Sequence, residues 1–140
     1  MYKILAAIDE SEQRTRNSIS AIQSLPRDGE SIHVSLINIF EEFDISDDSG
    51  GRVKSADLVD KYDPPETMEL AEKLLNESNI SHSSTLRHGK PAAKIIEAAG
   101  DEEVDMIVVA SGDQSPVGKV LFGSVTQGVL IDSDWPVLVV

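Results

Sequence analysis

The sequence contains no cysteine, which excludes disulfides, thiol catalysis and thiolate metal sites. It has no apolar run that approaches the roughly 18 residues of a membrane-spanning helix. Its first apolar run, Met1–Ile8, is too short for the hydrophobic part of a secretion signal and leads directly into a predicted strand. We therefore expect a cytoplasmic protein.

Positive charge is scarce. Twelve Lys and Arg residues stand against 25 Asp and Glu residues, and the net charge is −13. Such a molecule repels the phosphate backbone of nucleic acids and the surface of an anionic membrane. Neither nucleic acid nor a membrane is expected as a direct partner. We interpret the acidity as a solvated surface, suited to a cytoplasm of high salt that screens its self-repulsion.

The chain has 140 residues, of which 40% are hydrophobic. This is the usual size of one domain, and it is enough to fill one core without cross-links. We therefore expect residues 1–140 to form a single domain.

Strand and helix patterns alternate along the chain. Five segments predict β-strands, the third of them polar and the others apolar: Tyr2–Ile8, Ile32–Phe40, Ser81–Arg87, Val104–Ala110 and Pro136–Val140. Apolar residues at helical spacing separate them, and residues 41–65 predict a long surface loop. Helical crossovers between parallel strands fit this order. The predicted fold is α/β, a doubly wound, Rossmann-like parallel sheet of five strands with helices on both faces.

Ligands of doubly wound sheets lie outside the carboxyl ends of the strands. The segments to inspect are therefore residues 9–11, 39–42, 87–90 and 110–119.

Motifs for catalysis and metal binding are not found in the sequence. No G-x-G-x-x-G follows the first strand, and the glycines around Lys119 are spaced one residue too far apart for a phosphate-binding P-loop. The three histidines lack the close spacing of a zinc motif. No serine stands in a G-x-S-x-G turn. We predict no catalytic residue, no metal ligand and no enzyme.

Several separated motifs, in order, resemble the universal stress protein family. They are Lys3–Asp9 at the start, the turn Gly89–Pro91, and Gly123–Gln127 ahead of the final strand Pro136–Val140. The resemblance covers essentially the whole chain except residues 41–63. It implies a homodimer in which the last strands of two subunits pair, with Pro136, Val137, Leu138, Val139 and Val140 as interface residues. Pairing also protects a short apolar edge strand from uncontrolled association.

The resemblance also provides a test for ATP binding. ATP-binding members carry Gly, two residues, Gly, nine residues, then Gly followed by Ser or Thr. Counted back from Gly123-Ser124, the two earlier glycines are replaced by Asp113 and Ala110. Side chains at such positions take the space in which backbone N–H groups approach phosphate. The Asp113 charge adds a repulsion of roughly 1 kcal/mol or more.

Other positions of the implied nucleotide site are retained. Asp9 and Ile39 match residues that border the adenine, and Gly123, Ser124 and Val125 match the helix start that meets the phosphates. Each also has a structural interpretation, since Asp9 is a good helix cap, Ile39 a core residue and Gly123 a close helix contact. The remaining candidates, Ser111 and Gly112, lie in the altered loop of residues 110–124, where Gly112 and Gly118 offer a partial substitute for the lost glycines.

Three functions follow from these observations. The first is a stress-response binding or signalling module, a homodimer that holds no ATP tightly and acts through other proteins or through a small anionic or nucleotide-like ligand. The second is an ATP- or AMP-binding sensor that uses the altered loop, with Mg²⁺ accompanying ATP and at most slow, incidental hydrolysis. The third is an enzyme, which the lack of a recognisable nucleophile, metal cluster or acid-base pair in the sequence disfavours. We favour the first and predict no obligatory cofactor.

Overall fold

The computed structural model describes residues 1–26, 29–41, 62–111 and 123–140. Strands and helices alternate strictly through these residues, in agreement with the prediction. The elements in chain order are β1 (Tyr2–Ala7), α1 (Glu12–Gln23), β2 (Ile32–Phe40), α2 (Glu66–Glu77), β3 (Ser81–His88), α3 (Pro91–Asp101), β4 (Met106–Val109), α4 (Ser124–Asp132) and β5 (Val137–Val139).

The five strands form one parallel sheet in the order β3-β2-β1-β4-β5. β1 lies at its centre, where Ile4 pairs with Val34 of β2 on one side and with Met106 of β4 on the other. The chain runs outward from β1 to β3 and then resumes at β4 on the opposite side. The predicted doubly wound sheet is therefore confirmed, and its direction reverses between β1 and β4.

Apolar side chains fill two core layers, one on each face of the sheet. Successive strand residues point to opposite faces, so Ile4 packs under α1 and α2, whereas its neighbour Leu5 packs under α3 and α4. Ile19 and Leu75 are fully buried in the first layer, and Ile95 is nearly so in the second. This double coverage explains why the central strands are almost continuously apolar.

Some element boundaries differ from the prediction. α1 begins at Glu12, after the capping residue Ser11, and has about three turns. β4 begins at Met106 rather than Val104, since the Val104 N–H still closes the end of α3 on the Ala99 carbonyl at 3.2 Å. None of the described helices is both long and apolar enough to cross a membrane.

Candidate functional site

A cavity of about 440 Å³ opens at the carboxyl ends of β1, β2 and β4. This is where the strand order reverses, the position at which doubly wound sheets bind ligands. Its size lies within the range of small-molecule sites. The cavity is lined by the ends of the three strands and the residues that follow them, by Tyr62, and by the N-terminal parts of α3 and α4. These residues are Ala7, Ile8, Asp9, Glu10, Ile37, Asn38, Ile39, Phe40, Glu41, Tyr62, Pro91, Ile95, Val109, Ala110, Val125 and Thr126.

At the end of β1, hydrogen bonds from the following turn and from the helices α1 and α2 hold Asp9. Its carboxylate accepts the Ser11 N–H at 2.9 Å and the Arg14 Nε–H at 2.7 Å. Its carbonyl accepts the hydroxyl of Thr67 from α2 at 2.5 Å. The N-cap of α1 is Ser11 rather than Asp9, because the Ser11 hydroxyl accepts the Arg14 N–H at 3.2 Å. The carboxylate of Asp9 remains 44% exposed.

At the end of β2, Asn38 connects three parts of the cavity wall. This residue is only 5% exposed. Its amide donates to the Ile8 carbonyl at 2.8 Å, and its side-chain oxygen accepts the Tyr62 hydroxyl at 2.8 Å. Tyr62 also stacks on Phe40, with ring centroids 4.0 Å apart and planes 14° from parallel. Buried amides are stable when paired in this way, so the three side chains form one fixed wall.

The end of β4 meets the start of α4 on the opposite side of the cavity. The buried Thr126 hydroxyl donates to the Ala110 carbonyl at 2.8 Å and joins the two elements. Gly123 occupies the N-cap position, and among the described residues no side chain caps the first N–H groups of α4. Such N–H groups and the helix dipole favour a negative group nearby.

Comparison with known proteins identifies the family. The family model described as "Universal stress protein family" matches residues 1–140. The chain belongs to the universal stress protein family. This finding confirms the resemblance seen in the sequence, and the family's fold is the one described above.

Individual relatives agree with this assignment. The stress response protein NhaX of Bacillus subtilis is 40% identical over 75 residues, which are 54% of this chain and 45% of that protein. The chain thus matches less than half of the length of this curated relative. A second relative is the universal stress protein MJ0577 of Methanocaldococcus jannaschii. The solved structure of MJ0577 superimposes on this chain with a TM-score of 0.75 and 26% sequence identity, and the match covers 99% of this chain and 94% of that chain.

A third relative was solved with a ligand. It is the universal stress protein from Archaeoglobus fulgidus in complex with dAMP, with a TM-score of 0.64 and 20% identity over 99% of this chain and 97% of that chain. At this level of identity, the similarity shows the shared fold.

The candidate residues of this universal stress protein fall into three groups. Asp9, Ile39, Ala110 and Val125 line the cavity. Ser111, Gly123 and Ser124 belong to the adjoining ends of β4 and α4 but are not among the lining residues. Gly112 and Asp113 lie outside the described residues.

Sequence patterns did not indicate several residues of the cavity wall, notably Asn38, Tyr62 and Thr126. Asn38 offered a signal, since it is an amide within an otherwise apolar strand and such a group needs a buried partner. Tyr62 offered none, because it lies in a stretch without periodicity.

Negative charge is concentrated at the cavity. The lining residues include the carboxylates of Asp9, Glu10 and Glu41, whereas none of those described is Lys, Arg or His. Arg14 compensates one of the three through its contact with Asp9. In the part of the chain that the structure describes, no three His, Asp or Glu side chains are grouped to hold a metal ion.

The last strand lies at an edge of the sheet. Among the described residues, β5 pairs with β4 and with no further strand. Its side chains are half-buried, with Leu138 packing on one core layer and Val137 and Val139 on the other. In the neighbouring helix α4, Leu130 is 41% exposed and Ile131 is 80% exposed.

Proposed function

We propose that this universal stress protein is a stress-response binding and signalling module that acts as a homodimer in the cytoplasm and does not hold ATP tightly. The observation that carries the proposal is the cavity at the edge of the sheet where the strand order reverses. Its described lining contains three carboxylates and no cationic side chain. A triphosphate approaching this opening meets charge of its own sign. Each close pair of like charges costs roughly 1 kcal/mol in water and more where water is excluded.

The altered glycine motif supports the same conclusion. Ala110 replaces one glycine of the ATP-binding pattern at the end of β4, and Asp113 replaces the next. Ala110 lines the cavity, and it carries a methyl group where the pattern has a glycine without a side chain.

The two side-chain hydroxyls of the described lining donate to acceptors that are not general bases, which supports a binding role rather than an enzymatic one. The hydroxyls of Tyr62 and Thr126 donate hydrogen bonds within the wall. No histidine lies among the described lining residues to act as their general base. ATP hydrolysis, where it occurs, is therefore expected to be slow and incidental.

The homodimer is proposed through β5 and its flanks, residues Pro136 to Val140. In the described structure the outer edge of β5 carries no partner strand, and unpaired edges invite association. The exposed Leu130 and Ile131 of α4, which contacts β5, add apolar surface beside this edge. We also propose that other proteins recognise the dimer.

An ATP- or AMP-binding sensor is the second candidate. The structure of the Archaeoglobus fulgidus relative in complex with dAMP favours it. The cavity volume also favours it, as does the start of α4, where the N-cap residue Gly123 has no side chain to occupy the first N–H groups. In such a sensor, residues 110–124 would bind the phosphates of the nucleotide, and Mg²⁺ would accompany ATP.

Isothermal titration with ATP and Mg²⁺ separates the two candidates. The comparison variant is Ala110→Gly with Asp113→Gly, which restores both glycines of the pattern. We expect weak or no binding by the native protein and a gain of about tenfold or more in the variant, since one removed repulsion of 1.4 kcal/mol is a factor of ten. Tight ATP binding by the native protein would contradict the first candidate and favour the sensor.

A further inference from the structure

A second cavity, of about 500 Å³, opens at the amino ends of β1 and β2. The candidate site described above lies at the carboxyl ends of the same strands, so the two cavities are at opposite edges of the sheet. The turn between α3 and β4 forms one wall of the second cavity with Asp101, Glu102 and Glu103, and the strands contribute Lys3 and Ser35.

Glu102 has one carboxylate oxygen with a partner and one without. Its Oε1 accepts the hydroxyl of Ser35, a residue that is only 5% exposed, at 2.9 Å. Its Oε2 is also buried, and it accepts no hydrogen bond from any described residue. A buried charged oxygen without a partner is costly. A hydrogen-bond donor bound in the cavity would remove this cost.

The end of α3 concentrates negative charge at this cavity. Asp101 is the last residue of the helix, and Glu102 and Glu103 follow it directly. The last turn of the helix holds no basic residue. The negative end of the helix dipole lies at the same place, and cations are favoured there. The cavity wall therefore attracts positively charged groups.

The protein's own cations compensate this charge only in part. Arg87 pairs with Asp101 at 3.1 Å. Lys3 directs its Nζ to the backbone carbonyl of Glu102, at 3.5 Å, rather than to a carboxylate. Among the described residues, no ion pair includes Glu102 or Glu103. Two of the three carboxylates are thus left for a cation from outside.

The arrangement suits an organic cation better than a metal ion. His33 lines the cavity, but its ring nitrogens lie 2.8 and 3.1 Å from the hydroxyls of Ser81 and Ser83. Over the described ranges, no three His, Asp or Glu side chains converge closely enough to hold a metal ion. An ammonium group needs less convergence, because each of its three N–H donors can meet a separate acceptor.

We propose that the second cavity binds an aliphatic polyamine, with one ammonium group donating to Glu102 and another facing Glu103. A carboxylate turns easily about its terminal bond, which lets the buried Oε2 meet a donor in the cavity. The flexible chain between the ammonium groups accommodates carboxylates that do not converge. This inference goes beyond the proposed function and does not depend on it.

The test is isothermal titration of the full chain with spermidine at low salt, in which we expect one saturable site. Glu102→Gln keeps the size of the side chain and an oxygen for Ser35 but removes the charge. It should weaken spermidine binding about tenfold, because hydrogen bonds to a charged acceptor are roughly twice as strong as those between neutral groups.

Two further variants separate this site from general attraction by an acidic protein. Glu77→Gln removes an exposed carboxylate at the end of α2 and should change the affinity by less than about twofold. Lys3→Met removes the cation nearest to the site and should strengthen binding about threefold, so it tests the inference even if Glu102→Gln does not fold. Thermal unfolding verifies the fold of each variant.

Several outcomes would overturn the inference. One is the absence of spermidine binding, and another is equal weakening by Glu77→Gln and Glu102→Gln. A loss caused by Glu10→Gln but not by Glu102→Gln would place the cation in the cavity at the carboxyl ends of the strands. Magnesium chloride that binds as tightly as spermidine would show that the site does not select an organic cation. None of these results bears on the proposed function, which the ATP titration tests separately.

Discussion

Gly128 of α4 sets how closely two helices approach. A Cβ atom built on Gly128 would lie 2.7 Å from the Cβ of Ala92 in α3, a separation that requires one helix to shift. We therefore predict that Gly128→Ala lowers the free energy of unfolding by about 1–3 kcal/mol, because the overpacking outweighs the gain of about 1 kcal/mol in helix propensity. Urea unfolding measures this difference.

The swap variant Ala92→Gly with Gly128→Ala serves as the control, because it removes the methyl group that the new Cβ would strike. It should recover part of the loss, although glycine in α3 has its own cost in a helix. A Gly128→Ala protein as stable as the native one would show that the two helices separate without penalty.

At the candidate site, individual residues were predictable where a pattern assigned them to a strand end. Asp9, Ile39 and Ala110 follow or end apolar runs, so sheet topology alone assigns them to the cavity. Tyr62 could not be predicted, because its role depends on contacts with Asn38 and Phe40 that are 22 or more residues away in the sequence. Non-local contacts of this kind leave no trace in local periodicity.

For the secondary structure elements, the sequence predicted which strands and helices are present better than it predicted where each of them begins and ends. All five strands were predicted, even the polar β3, since alternation with helices requires a strand there. The ends differ because capping decides them. Ser11 begins α1 through its hydroxyl, and a backbone bond from Val104 extends the end of α3 at the expense of β4. Such contacts move a boundary by one or two residues and leave the fold unchanged.

The edge of β5 permits a test of the proposed homodimer. The Val140 N–H bonds to Val109 of β4. Backbone groups alternate in direction along a strand, so the Val139 N–H points away from β4, towards the edge at which no described strand pairs. Val139→Pro removes this donor, and we predict that it lowers the dimer fraction strongly in sedimentation velocity at micromolar concentration.

The matched control for this prediction is Val139→Ala, which trims the same side chain but keeps the N–H group. It should remain dimeric, and circular dichroism should show that both variants are folded. A Val139→Pro protein that is still fully dimeric would contradict pairing through this edge and direct attention to Leu130 and Ile131 instead.

For the molecule as a whole, charge connects stability with ligand choice. The same excess of acid that gives the net charge of −13 also supplies the carboxylates at the cavity. The net charge alone predicts that the protein repels polyanions such as nucleic acids. It could not predict that three carboxylates would meet at the carboxyl edge, because that depends on how the strands are ordered in the sheet.

Self-repulsion within the folded molecule predicts that salt stabilises this protein. Raising sodium chloride from 0.05 M to 1 M shortens the screening length from more than 10 Å to about 3 Å, which relieves repulsion between exposed carboxylates. We expect the thermal unfolding midpoint to rise by several degrees, since about 1 kcal/mol corresponds to roughly 2–8 °C at this chain length. Glu77→Gln with Glu103→Gln removes two of these charges and should reduce the rise. A midpoint that is constant or falls with salt would show instead that the acidic surface costs the folded state nothing.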